Sequence, residues 1–342
     1  MKSTYRFVKA VVALTIFPVS TATVHGDDYC YETNNGTITI LSYLGSSSSV
    51  TIPNEIDGLP VRCLGDDAFA GRSCLTDVII PNSVTIIGNR AFCGCTNLTS
   101  ILIPNSVTTI SDAAFGGTGL TSVTIPNSVT EIMPSVFYGC FRLINITLPE
   151  SVTIIGGAAF AYCTSLTNVV IPHSVTEIRT GVWGGAFMGC TGLKSIIIPE
   201  TVTTIDSIAF SHCTNLIEVY FQGNSPTSVG SDVFAQSTNV TVYYLPGTLG
   251  WGPLFGDRPT VPWGLPYPLI LTTLPNFGFQ NNAFGFRISW ATNVPIVVEA
   301  STSPIDGVWS PVSTNRLTDG WCDFSHTDWT NYPAQFYRIR SL

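Results

Sequence analysis

Ten cysteines and four histidines are the side chains of this 342-residue sequence with the readiest chemistry. A thiol can ligate zinc, close a disulfide or act as a nucleophile, with an imidazole moving the proton beside it. The spacing argues against most of these uses. Cys95, Cys140, Cys163, Cys190 and Cys213 each stand three residues after a phenylalanine, namely Phe92, Phe137, Phe160, Phe187 and Phe210. Equivalent positions of a regular array form a column. A column offers no tetrahedral cage, and Cys93-x-Cys95 lacks the second knuckle of a zinc site. Adjacent rungs fall within bridging distance, yet side chains in a column point the same way rather than at each other, so buried free thiols are expected. Cys30, Cys63, Cys74 and Cys93 lie off the column and are open to pairing, and Cys322 is expected to be free.

The histidines offer less. His25 lies in the first 26 residues, His173 fills the slot of Asn82, Asn105 and Asn127, and His212 fills that of Gly94, Gly139 and Gly189. The last two therefore read as turn residues. His326 lies near Asp323 and Asp328 in an expected loop, but triad chemistry needs a nucleophile beside them. There is no Gly-x-Ser-x-Gly elbow, phosphate loop, dinucleotide fingerprint or His-Glu-x-x-His. The expectation is a protein without catalytic, cofactor or metal residues, one that is not an enzyme.

The elements that hold these side chains come from an internal repeat. The stretch Ile101-Leu102-Ile103-Pro104-Asn105-Ser106-Val107-Thr108-Thr109-Ile110 recurs, with prolines at 81, 104, 126, 149, 172 and 199 spaced 23, 22, 23, 23 and 27 apart. A looser copy centres on Pro53 and a later one carries Phe221-Gln222, about eight copies in all. Within one unit, Leu98, Ile101 and Ile103 alternate with Ser100 and Leu102, the pattern of a short strand with one face inward. Proline has no N–H for a ladder and ends the strand. Asn105-Ser106 turns the chain, Val107 and Ile110 return inward, and Phe115 plugs the coil. A coil this short cannot close its own core, so coils must stack, strands roughly 4.8 Å apart.

Ala91-Phe92-Cys93-Gly94-Cys95-Thr96-Asn97-Leu98-Thr99-Ser100 followed by Ile101-Leu102-Ile103-Pro104 resembles the repeat of the BspA-like, treponemal-type leucine-rich-repeat family. Gly36-Thr37-Ile38-Thr39-Ile40, Val50-Thr51-Ile52-Pro53 and Gly58-Leu59-Pro60-Val61 are similar to that family's opening module. The resemblance covers about residues 28–244. It implies a mainly β fold, a right-handed leucine-rich-repeat solenoid with a parallel strand ladder, and an exported surface protein that works by adhesion or recognition.

Residues 1–26 read as a signal peptide, with Lys2, Arg6 and Lys9 ahead of an apolar stretch from Ala10 to Val19. The uncharged run from Ala10 to Val24 falls short of the roughly 20 residues that span a bilayer, so no transmembrane anchor is expected. Removing those three cations takes the formal charge from −8 to −11. Such a body is a poor partner for nucleic acid, whose affinity comes from Lys and Arg. The expected organisation is a solenoid over 27–244 with its opening module at 28–77, a Pro/Gly/Trp-rich cap and linker over 245–267, and a small antiparallel β-sandwich over 268–342. The sandwich rests on strand-like runs at Phe284–Trp290, Ile296–Ala300, Trp309–Val312 and Phe336–Ile339, and is similar to C-terminal modules of bacterial secreted proteins.

A monomer that binds a protein or glycan partner on a cell or matrix surface is the functional expectation, with a structural spacer presenting the last domain as the alternative. The outward strand positions Leu102, Thr124, Thr147, Val170, Ile197 and Tyr220, continuing from Ile79, are the candidate contact row. A second column, Thr85, Thr108, Thr130, Thr153, Thr176 and Thr203, offers hydroxyls or serves only as exposed β residues. Trp183 is the remaining candidate. It sits in Gly181-Val182-Trp183-Gly184-Gly185, inside the unit of 27, either as an exposed anchor or folded back over a neighbouring coil. Asn35, Asn97, Asn145 and Asn239 lie in glycosylation sequons that matter only in a eukaryotic secretory route.

Overall fold

The structure is a computed structural model that describes residues 28–265, 268–272, 277–280, 283–290, 293–304, 307–327 and 335–341. The expected signal peptide and Asp328 lie outside these. Among the described residues there is no α-helix, and none long and apolar enough to cross a membrane. The chain divides into two compact units. One runs to Val219 and adds Pro226–Val240 and Gly256–Arg258; the other holds Tyr220–Ser225, Thr241–Phe255 and the residues from Pro259 onward.

The first unit is the expected stack of coils. Asn145–Thr147 pairs in parallel with Ser122–Thr124 on one side and Asn168–Val169 on the other. A second parallel ladder joins Glu131–Ile132, Ile154–Ile155, Glu177–Ile178, Thr204–Ile205 and Ser228–Val229. Proline and turn keep these strands short. Each anchor proline carbonyl accepts the N–H of the valine three residues on, as in Pro104–Val107 at 3.0 Å and Pro149–Val152 at 3.1 Å, so the Pro-Asn-Ser-Val stretch is a β-turn.

Aromatic rings fill the interior. Tyr43, Phe69, Phe92, Phe115, Phe137, Phe160, Phe187, Phe210 and Phe234 form one stacked pile, with successive centroids 5.0 to 5.8 Å apart. All nine are buried. The phenylalanines of the pile are flanked by left-handed backbone. Two positions before the ring the chain is left-handed at Asp67, Arg90, Ala113, Ser135, Ala158, Ile208 and Asp232, and two positions after it at Gly71, Gly94, Gly117, Gly139 and Gly189. Tyr162 and His212 take the same positive φ in that glycine slot, which fits the turn role expected of His212.

The cysteine column is present, and its side chains perform a bond that the spacing did not disclose. Cys95, Cys140, Cys163, Cys190 and Cys213 are buried, and each thiol donates to the phenylalanine carbonyl of the preceding coil. The acceptors are Phe69, Phe115, Phe137, Phe160 and Phe187, at 3.1 to 3.2 Å. Ser237 does the same for Phe210 with its hydroxyl at 2.8 Å. Where the slot holds Thr118, the hydroxyl bonds instead to the carbonyl of Phe115 in its own coil and lies 3.3 Å from Cys140 Sγ. Cys30, Cys63, Cys74, Cys93 and Cys322 are also free thiols.

Burial pushes the column thiols well above the ordinary 9.0, to about 12 at Cys95, about 11 at Cys140 and about 12 at Cys213, with Cys163 and Cys190 displaced in the same direction. The unfolded chain releases these protons from about pH 9, whereas the folded chain holds those of Cys95, Cys140 and Cys213 until about 11 to 12 and those of Cys163 and Cys190 well above the ordinary range. Their contribution to stability is therefore complete below pH 9 and is lost as pH rises from there. Melts between pH 8 and 11 are expected to show a falling Tm. Cys163→Ala, though less stable at pH 8, is expected to have the flatter slope, by up to about 1.4 kcal/mol per pH unit. An unchanged slope would contradict the assignment.

The second unit begins with parallel pairing of Val242, Tyr243 and Tyr244 to Thr260, Val261 and Pro262, so part of the Pro/Gly/Trp-rich segment is itself ladder. Beyond it lie two antiparallel sheets. Ala283–Ser289 pairs with Leu269–Leu271, Gly278–Gln280 and Trp321–His326; Pro295–Ser301 pairs with Ser310–Arg316 and Phe336–Ser341. Phe286, Ile288, Ile296, Val298, Leu317 and Phe324 form one buried cluster from both sheets. His326 and Asp323 belong to a strand and not to a loop, because Trp321–His326 alternates its burial against that cluster. His326 Nδ1 lies 3.0 Å from Tyr337 Oη, and Asp323 forms a two-oxygen bridge with Arg287 at 2.7 and 2.8 Å.

Candidate binding surfaces

Leu102 bridges Ile79 and Thr147 faces Thr124 across the ladder, so the expected outward row exists in register. Alternation decides its chemistry. Val78, Val123, Ile146 and Val169 turn inward, which leaves the intervening residues in solvent. Leu102 is 80% exposed, Val170 70%, Ile79 59% and Ile197 46%, while Thr124 and Thr147 are also exposed. Asp77, Ser100, Ser122, Asn145, Asn168 and Ser195 run beside them, all exposed. Tyr220 does not share this freedom. It belongs to the second unit, half-buried, its ring 4.8 Å from that of Tyr243 and 4.7 Å from that of Trp263.

The threonine column is occupied within the stack. Thr85, Thr108, Thr153, Thr176 and Thr203 each donate both backbone N–H and hydroxyl to the carbonyl of the equivalent residue one coil earlier, Arg62 standing in that place for Thr85. Serine hydroxyls of the turn act alike, Ser151 bonding Val129 and Ser174 bonding Val152 at 2.6 Å, with Thr201 bonding Val175 at 2.8 Å. In these copies the Ser-Val-Thr motif is a set of rung-to-rung staples, its hydroxyls spent on main-chain carbonyls.

Trp183 lies on a different side of the coil. The four extra residues leave the stack as a hairpin in which Thr180 pairs with Gly185 and Gly181 with Gly184, and Val182-Trp183 forms the tip. Its base is fixed by Asp206, whose carboxylate accepts the Thr180 N–H at 3.1 Å, and by Arg179 on Glu177 at 2.7 Å. Its back rests on Gly157, where a Cβ would meet Gly181 N at 2.1 Å and Thr180 C at 2.4 Å. The hairpin thus reaches back across one coil to the next, and Trp183 remains 67% exposed.

Below the indole lies a groove of about 640 Å³. Its floor is backbone at Gly94, Gly116, Gly117 and Gly139, and its walls include Tyr138, Phe141 and Trp183. Phe141 is 60% exposed. Tyr138 is half-buried, its ring 5.6 Å edge-on from Tyr162. The polar rim is Asn89, Arg90 and Asp112. Asn89 gives its amide to Asp66 at 3.0 Å, and Arg90 forms an ion pair with Asp67 at 2.6 Å that holds its guanidinium above the ordinary range. Asp112 is exposed, and its carboxylate has no partner among the described residues. Ser135 also lines the groove, but its hydroxyl oxygen is closed off from solvent and makes no hydrogen bond.

Two signals in register could have located this groove. Phe141 follows its cysteine where Thr96, Thr164, Thr191 and Thr214 follow theirs, and Gly157 stands in a slot filled elsewhere by Asp66, Asn89, Asp112 and Pro134. Among the described residues no three His, Cys, Asp or Glu side chains converge as metal ligands. His173 Nδ1 lies 3.0 Å from Glu200 on the next coil and is otherwise exposed.

A family model described as "BspA type Leucine rich repeat region" matches residues 62–185 and 182–250 in six copies. Among solved structures, a leucine-rich-repeat protein of Treponema pallidum is 31% identical, with a TM-score of 0.44 over 62% of this chain and 88% of its own. One from Bacteroides ovatus is 23% identical, with a TM-score of 0.50 over 64% of this chain and 70% of its own. A search of curated proteins gave no match.

Proposed function

From the premise that the chain belongs to the BspA-type leucine-rich-repeat family, we propose that it is an exported recognition protein whose stacked coils engage a protein or glycan partner on a cell or matrix surface. Members of this family are typically surface or exported proteins, and the family is in general non-enzymatic. The observation that carries the reading is the row Ile79, Leu102, Val170 and Ile197, apolar side chains held in solvent by the strand register and flanked by exposed Ser, Asn and Asp. Large side chains kept out of the core are what a recognition surface requires, and a broad ladder face can present them in a line.

Binding of the full chain to a panel of extracellular-matrix proteins and arrayed glycans, compared with a Leu102→Asp/Val170→Asp variant, tests this. The variant should unfold within about 0.5 kcal/mol of the parent, since both sites are exposed, and lose at least about tenfold in affinity for any bound partner, the effect of two apolar contacts. Equal binding by both proteins would favour the spacer, with the second unit as the part presented.

A further inference from the structure

We propose that the groove beneath Trp183 is a second binding site, built for a short neutral oligosaccharide. It does not depend on the strand-row reading, since it lies on another side of the coil and uses other residues. Two observations carry it. The first is the hairpin itself: four residues added to one coil place an indole over a groove that the other coils form, and a glycine seat at 157 holds it there. Trp183 and Phe141 offer ring faces that are largely in solvent, and Tyr138 a ring partly so. The C–H face of a pyranose is apolar and carries slight positive charge, so it stacks on the electron-rich face of an aromatic ring.

The second is charge. Arg90 is neutralised by its ion pair with Asp67 and Asn89 is held by Asp66, which leaves the Asp112 carboxylate as the unpaired charge of the rim. A carboxylate accepts from sugar hydroxyls and repels an acidic sugar. A quaternary ammonium would suit the rings and Asp112 but is too short to follow a groove lined at residues 89–94, 112–117 and 134–141. A proline-rich strand would suit the rings and lacks N–H donors for Asp112. The groove crosses the coils at residues 89–94, 112–117 and 134–141, three rungs about 4.8 Å apart. That length fits two or three sugar rings better than one, and the volume falls within the usual range for small-ligand sites.

Calorimetric titration of the full chain with cellotriose, maltotriose, mannotriose and chitotriose is the test, with trigalacturonate, choline and a proline-rich peptide as the contrasting probes. Saturable binding of at least one neutral trisaccharide is expected. Trp183→Ala should weaken it at least about tenfold, as loss of an aromatic anchor does. Trp183→Ala should leave the melting curve unchanged because the indole is exposed, and Leu102→Asp should leave sugar affinity unchanged. Failure of all four neutral sugars to bind, binding indifferent to Trp183→Ala, or preference for trigalacturonate, choline or the peptide would each overturn the proposal.

Discussion

Replacing Phe160 by alanine is expected to lower the unfolding free energy by about 3–5 kcal/mol, the range for emptying an aromatic site in a core. Phe160 is fully buried, with ring centroids of Phe137 at 5.6 Å and Phe187 at 5.2 Å. Its removal takes away two ring contacts, worth about 0.5–1.5 kcal/mol each beyond the area they bury. The cavity also opens beside the Cys190 thiol, which donates to the Phe160 carbonyl. Neighbouring coils cannot collapse into the gap, because backbone bonds from Phe160 N to Ala186 and from Phe137 N to Ala159 fix the rung spacing. Equilibrium urea denaturation measures the loss, with Leu102→Ala as the exposed reference, expected within about 0.5 kcal/mol of the parent. A loss below 1 kcal/mol at Phe160 would mean that the pile is not a continuous core.

The second large effect is at Gly157. A Cβ there would overlap Gly181 N, Thr180 C and Gly181 Cα at 2.1 to 2.5 Å, all of them backbone. No rotamer change relieves a clash between main chains, so the hairpin must lift. Gly157→Ala is expected to cost about 1–3 kcal/mol, as overpacking does. It should also move Trp183, which nuclear magnetic resonance of the indole N–H would report as a shift. Gly181→Ala is the instructive partner. Its Cβ would approach Gly157 Cα at 3.3 Å, a milder crowding, so a smaller change is expected there. If both variants leave the indole signal in place, the hairpin does not rest on Gly157.

The repeat made most of the first unit legible before any coordinates. Proline, turn, inward valine and isoleucine and the phenylalanine plug follow from strand alternation and from proline's missing N–H, and each occupies its expected place. What the row residues do in solvent was equally readable at Leu102 and Val170, since alternation fixes which way they face. Tyr220 is half-buried where alternation alone implies an open ring, because alternation says nothing of what comes to lie against an outward ring, here Tyr243 and Trp263. The staples escaped for a related reason. Spacing shows that Thr, Ser and Cys recur, but the partner of each donor is a carbonyl one coil away, and carbonyls are identical at every position. In the second unit there is no period to align. Trp321–His326 was passed over because Cys322, Asp323 and Ser325 dilute its apolar face.

The bonds between coils have a consequence for how such a chain can change over generations. Most Thr, Ser and Cys donors that bond between coils reach toward the preceding coil, and the carbonyls they find belong to the main chain. Regular coils can therefore follow one another, although the 27-residue coil needs the glycine at 157 ahead of it, and a regular unit can be gained or lost by unequal exchange at the gene while the junctions still match. Extra residues that do not amount to a full turn have nowhere to go within the shared outline and must leave it sideways, as the segment around Trp183 does. Novelty in this architecture accumulates as outgrowths on a conserved column, where it can be sampled without disturbing what bears the weight.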